Sequence, residues 1–272
     1  MRKLDLREIH EYGLGCLAYF DDVCKKYGLC YSLAYGSLIG AIRHKGFIPW
    51  DDDIDVMMPR KDYEKLVRIF LEEKEVSKQY KFINEQTDRD YYYTIGRICD
   101  KTTKIRFTND YKNVMNMGIF IDIYPLDDMP DSQFFLKIFS SMHKLIVITL
   151  FISNLRNYSK TDNSLMSIIK YFIFMVTKIT GFHFLFRLQR CLLKICKGTS
   201  AFYDTWDNFG YVIPKKYFDD IIEVDFENLK VKAIREYDSF LRRQYGNYMQ
   251  LPSVDKQIPH HEYEAFLLED NK

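Results

Sequence analysis

Apolar residues recur at helical spacing over residues 4–27. Leu6, Ile9, Leu14, Leu17, Phe20, Val23 and Tyr27 fall on one side, which predicts an amphipathic helix. Gly13 and Gly15 weaken that pattern. Tyr31–Tyr35 reads as a short strand and Gly36-Ser37 as a tight turn, with Ser37 placed to cap a short helix ending at His44. Ile54–Met58 reads as a second strand stopped by Pro59. Residues 60–75 follow as a helix with Tyr63, Leu66, Val67, Phe70 and Leu71 on one side. Further strands are expected at Tyr80–Asn84, Tyr92–Cys99 and Ile119–Tyr124, and a helix at Ala233–Tyr245. Strands mixed with helices in this way predict an α+β or α/β domain.

Residues 132–201 break the pattern, with long apolar stretches punctuated by Lys and Arg. The chain of 272 residues carries a net charge of +1, but this segment holds ten Lys/Arg and a single acid, Asp162. The remainder is correspondingly acidic, so two parts with different jobs are expected. The expected division is a core at 1–131, a basic apolar helical insertion at 132–201, and a C-terminal part at 202–272 that completes the core. The longest uncharged run, Leu145–Leu155, is too short to cross a membrane. Such a segment suits either helices lying on an anionic membrane surface or core helices with basic edges. The six cysteines form no C-x-x-C pair and no zinc spacing, and the N-terminus has no apolar leader. Reduced thiols in a cytoplasmic protein, peripheral on the membrane if the insertion docks there, are the simplest reading.

The candidate chemistry sits in Asp51-Asp52-Asp53-Ile54-Asp55. Asp53 and Asp55 are two residues apart, so in extended chain both carboxylates share a side; Asp51 can join them, and Asp52 points the other way. Carboxylates held this close repel unless a cation sits among them. An all-oxygen donor set favours Mg²⁺, with Mn²⁺ as the substitute. The flanks Phe47–Trp50 and Val56–Met58 are apolar, which argues against a merely solubilising acidic turn. Asp122 is a lone acid in the apolar run Gly118–Tyr124 and is expected as the third ligand from a neighbouring strand.

Upstream, Gly36 and Ser37 form a turn suited to a phosphate. Arg43 and Lys45 lie between turn and acids, where cations would help to neutralise a diphosphate. Trp50 could stack on a base or fill the core. Arg97, His260 and His261 complete the expected substrate-binding set.

Residues 31–64 closely resemble the LicD phosphotransferase family, most specifically over Arg43-His44-Lys45-Gly46-Phe47-Ile48-Pro49-Trp50-Asp51-Asp52-Asp53-Ile54-Asp55. Asp122 with Tyr124-Pro125-Leu126-Asp127 looks like the family's second acidic strand. Tyr245–Met249, Leu251-Pro252 and His260-His261 look like its C-terminal signature, with Asn247 and Ser253 as small departures. The resemblance implies a nucleotidyltransferase-like mixed sheet flanked by helices. It also implies Mg²⁺-dependent transfer of a phospho-alcohol, typically phosphocholine from CDP-choline, onto a cell-surface glycan such as lipopolysaccharide, teichoic acid or a capsule precursor. Ribitol or glycerol phosphate is the alternative cargo, and no nucleic-acid partner is expected. An Asp-x-Asp glycosyltransferase and a non-catalytic, membrane-associated scaffold holding Ca²⁺ remain the rivals from other classes.

Overall fold

The computed structural model describes residues 1–272 except 110, 113, 115–116, 129, 159–163, 196–197, 199–200, 205–211, 260–262 and 270–272, and except the side chains of 164, 203 and 204. The chain opens with β1 (Arg2–Lys3) and α1 (Leu6–Tyr27). The expected first helix starts two residues later than its apolar pattern because Asp5 caps it. The Asp5 carboxylate accepts from the Glu8 amide at 2.9 Å, and the Glu8 carboxylate accepts from the Asp5 amide at 3.0 Å. Leu17, Phe20 and Val23 are buried on its inner side as predicted.

Next come β2 (Ser32–Leu33), α2 (Tyr35–Ile39), a π-helical turn at Gly40–His44, β3 (Asp55–Pro59), α3 (Arg60–Leu71), β4 (Tyr80–Ile83), β5 (Gly96–Asp100), β6 (Thr103–Phe107) and β7 (Phe120–Asp128). The helix expected from Ser37 instead begins at Tyr35, so Ser37 lies inside it and caps nothing. The strand expected at Tyr92–Cys99 pairs only from Gly96, because Tyr91, Tyr92 and Tyr93 turn in as core fillers before it. After three helices, α4 (Gln133–Ser153), α5 (Ser164–Thr180) and α6 (His183–Ile195), the chain returns to the sheet as β8 (Ala201–Asp204) and β9 (Val212–Pro214). A hairpin of β10 (Ile221–Phe226) and β11 (Leu229–Ile234), then α7 (Tyr237–Tyr245) and β12 (Tyr263–Leu267), finish it. The last predicted helix starts at Tyr237 because Ala233 and Ile234 belong to β11. The sequence reading placed no strand at β1, β6, β8, β9, β10, β11 or β12, although β6 alternates buried and exposed residues over Thr103–Phe107.

The architecture is α+β. The main sheet runs β2-β3-β7-β5-β4, with β3 and β7 parallel and the other pairs antiparallel; β8 and β9 extend it from the far end of β7. Pro125 sits inside β7, which would remove a ladder bond in most settings. Here β5 pairs with β7 only as far as Ile123 and β8 begins at Leu126, so that edge asks no amide of position 125.

Register then does the important work. Asp55 of β3 stands opposite Asp122 of β7, and Asp122 stands opposite Arg97 of β5. The start of β7 is fixed by a close approach at Gly118, where a Cβ would lie 1.8 Å from the Asp100 carbonyl oxygen. The Ile119 amide next to it donates to Thr103 Oγ1 at 2.8 Å. Gly118→Ala must push backbone against backbone, and we expect a loss of about 1–3 kcal/mol or more in urea unfolding. An unchanged midpoint would show that this approach does not set the position of β7.

Candidate active site

Asp51, Asp53 and Asp55 line one side of a cleft of about 760 Å³. Gly36, Ile39 and Arg43 of the turn–helix segment form a second wall, and Tyr245, Tyr248, Leu251 and Lys256 close the third. The turn and the acids are locked together by two contacts. The Asp55 amide donates to Ser37 Oγ at 2.8 Å, which is what Ser37 does in place of capping. A Cβ at Gly36 would sit 2.7 Å from Asp51 Oδ2, so the start of α2 runs close against that carboxylate and a side chain there would displace it. Tyr35 before Gly36 carries φ 45°, a conformation a tyrosine rarely adopts, and an edge-on contact with Tyr124 and a tilted one with Phe240 hold its ring.

The acidic loop is also pinned from behind by residues that no motif marks. His10 Nε2 donates to the Asp51 carbonyl at 2.6 Å while its ring stacks on Phe47 at 3.9 Å. Tyr263 donates its hydroxyl proton to the Asp52 carbonyl at 2.9 Å. Ahead of the acids, the Phe47 amide donates to the Glu227 carboxylate at 3.0 Å. Backbone held at three points keeps four acids together despite their repulsion.

The carboxylates themselves divide into three situations. Oxygens of Asp51, Asp52 and Asp53 come within 4.8 Å of one another, so Asp52 is nearer its neighbours than strand alternation suggests. It nevertheless does not line the cleft. Asp122 is 3% exposed and is held by Arg97, whose Nε donates to Oδ1 at 2.5 Å. Arg97 is equally buried, with its guanidinium over the Phe120 and Tyr93 rings at 4.0 and 4.2 Å. Asp55 is different. Its Oδ1 is buried with no hydrogen-bond partner, and no ion pair reaches it among the described residues. Burial first, then the charges of Asp53, Asp122 and Asp51, push its pKa well above the ordinary carboxylate range. An orphaned, hard oxygen under the repulsion of neighbouring carboxylates fits a divalent cation with an all-oxygen shell.

Three expected binding residues therefore take other places. Arg97 lies beneath the site as the partner of Asp122 and is not part of the cleft lining. The Asp122 side chain is committed to that guanidinium. Lys45 is exposed at the end of the π turn, at φ 62°, also outside the cleft. Arg43 does line the cleft, but its Nη1 donates to the Tyr248 and Gln250 carbonyls at 2.5 and 3.4 Å. It thereby fastens the C-terminal segment as a wall. Trp50 lines the cleft with its indole edge-on to His44. His260 and His261 lie outside the described residues. The sequence reading missed His10, Tyr263 and Lys256; the first two act through backbone carbonyls and leave no residue-type pattern.

A turn before an acidic strand, a parallel strand carrying a further acid, and a cleft above them describe a nucleotidyltransferase-type centre. The comparisons agree. The profile of the LicD/FKTN/FKRP nucleotidyltransferase domain matches residues 28–159. The chain is also similar to the lipopolysaccharide cholinephosphotransferase LicD of Haemophilus influenzae. The two are 32% identical over 98% of this chain and the whole length of that protein. The protein belongs to the LicD family.

The raised pKa of Asp55 has a sign that can be measured. Above the ordinary carboxylate pKa the folded, metal-free protein binds a proton that the unfolded chain has released, so stability falls as pH rises towards the folded value. Asp55→Asn removes that charge. We expect it to raise the melting temperature of the metal-free protein at pH 8 and to flatten the fall. A variant melting with the wild-type pH profile would contradict the assignment.

Proposed function

We propose that the protein transfers phosphocholine from CDP-choline onto a hydroxyl of a lipopolysaccharide glycan. The observation that carries the reading is the meeting of Asp51, Asp53 and Asp55 with Gly36, in the first turn of α2, at one cleft. The relative's activity, named for phosphocholine and lipopolysaccharide, supports the cargo and the acceptor.

Mg²⁺ held by Asp53 and Asp55, with Mn²⁺ able to replace it, would supply charge neutralisation and alignment of the donor diphosphate. The protein's own part is positional and electrostatic. The Gly36 turn leaves space beside Asp51 where a side chain would block it. Trp50, Tyr245 and Tyr248 offer ring faces to the base and to the quaternary ammonium of the donor. Lys256 and Arg43 bring positive charge to a cleft otherwise dominated by acids. The acceptor oxygen forms the new P–O bond, CMP departs with the old one, and the hydroxyl proton passes to a carboxylate. Asp51 suits that last task better than Asp122, because it lines the cleft and Asp122 is held by Arg97. On this reading the protein works in the cytoplasm, with peripheral contact at the cytoplasmic face of the membrane.

Asp53→Asn is expected to lower CMP release from CDP-choline by about a hundredfold to a thousandfold, the range for removing one charge-stabilising group, with an unchanged circular dichroism spectrum. Wild-type turnover in that variant would overturn the mechanism. Hydrolysis of UDP-sugars in preference to CDP-choline would instead favour a glycosyltransferase. Titration calorimetry adds a second check: Mg²⁺ should displace the proton on Asp55, so the apparent heat should vary with the ionisation enthalpy of the buffer. Buffer-independent heat would remove Asp55 from the metal set.

A further inference from the structure

A surface helix in water turns its apolar side inward. Helix α5 does the opposite. Ser167 and Thr177 are its buried residues, whereas Leu165, Met166, Ile168, Ile169, Phe172 and Ile179 are 44–82% exposed. Helix α4 is apolar on both sides. Its inner side packs Phe139, Ile146 and Leu150 against Leu185, Phe186 and Leu192 of α6. Its outer side leaves Phe134, Phe135, Ile138, Met142, Leu145 and Ile148 at 42–68% exposure. Exposed apolar area on this scale marks a surface made to be covered.

We propose that the outer sides of α4 and α5, with the adjoining edge of α6, sink into an anionic lipid bilayer and lie along it. Charge decides the occupant. Lys137, Lys144, Lys178, Arg187 and Lys194 stand exposed among the apolar side chains, and residues 132–201 contain no acid besides Asp162. Anionic headgroups meet such a surface, with the lysine stems lying along the apolar layer and their ammonium groups in the headgroups. A second copy of the chain fits poorly. A two-fold interface would set the same basic surfaces against each other, and lysine is depleted in protein interfaces.

The helices are held flat. By length and composition α4 qualifies as a membrane span, with 21 residues. Its inner side, however, is committed to α6 through a buried hydrogen bond of 2.7 Å between Gln189 and His143. A span would also draw Lys137 and Lys144 into hydrocarbon. Helix α5 is tied at its start by the Tyr158 hydroxyl, which donates to the Ser167 carbonyl at 2.7 Å, and it meets α6 at an angle of 101°. These features make a platform of two exposed helices braced by a third.

The inference stands on α4–α6 alone and is independent of the reaction proposed above, so it is tested without nucleotide or glycan. The full-length protein is sedimented with vesicles of phosphatidylcholine alone and with vesicles of equal parts phosphatidylglycerol and phosphatidylcholine. We expect at least tenfold stronger partition onto the anionic vesicles, and a drop of roughly fivefold for each exposed lysine replaced by Gln. The double variant Ile168→Ser, Phe172→Ser should stay in the supernatant with an unchanged melting temperature, since neither side chain is in the core. Protein that ignores both vesicle types, or binds both equally, overturns the proposal. So does a lipid-free dimer, detected by light scattering, that Ile168→Ser, Phe172→Ser dissociates.

Discussion

One buried carboxylate oxygen sets the terms for this protein. Asp55 Oδ1 has no partner, and the charges nearest to it are Asp53, Asp122 and Asp51. A carboxylate left in that state is unstable in its charged form, and in a protein interior the group protonates or acquires a cation. The surrounding structure accepts this instability and fixes it in place. The Asp55 amide is held by Ser37, the Asp51 and Asp52 carbonyls by His10 and Tyr263, and the neighbouring Asp122 by a buried guanidinium. Arg97 neutralises one acid and leaves the others, which is the charge a divalent cation would balance.

The sheet exists in the right register for this to happen. Parallel pairing of β3 with β7 puts Asp55 beside Asp122, and antiparallel pairing of β7 with β5 puts Arg97 on the other flank. A slip of one residue on any strand would turn its charged side chain to the opposite side of the sheet. The long middle strand β7 is buried on both sides nearly throughout, so register is set by packing as well as by hydrogen bonds. Chain ends distant in sequence then close the site. Residues 245–256 wall the cleft and β12 supplies Tyr263, which explains why the core cannot be assigned to the first half of the chain alone.

The acids that line the candidate site stood out in the sequence because they lie close together in the chain. Asp53 and Asp55, the Gly36-Ser37 turn before them and the lone Asp122 all announce themselves by spacing or by an acid in an apolar run. The LicD resemblance rests on the same stretch, and the family assignment follows. What spacing could not reveal was how each side chain is used. Ser37 looked like a cap because helix starts favour serine, yet the helix begins two residues earlier and the hydroxyl serves a strand amide. Arg97 and Arg43 were both expected to bind substrate, Arg43 beside a diphosphate. One is spent on Asp122 and the other on carbonyls of the C-terminal segment, contacts formed between residues 25 and about 205 positions apart. His10 and Tyr263 were invisible because they hold the acidic loop through its backbone carbonyls, which leave no residue-type pattern. The insertion's basic, apolar composition was plain, but the inverted face of α5 appears only once burial is known.

The dependence on Asp55 can be tested by locating the cation itself. Crystals of the protein grown with Mn²⁺ would be measured at a wavelength where manganese scatters anomalously. The account predicts a single strong peak or a close pair at coordination distance from Asp55 Oδ1, shared with Asp53 on the cleft side. A peak held only by Asp51, Asp52 and Asp53, with Asp55 left protonated and unligated, would contradict it.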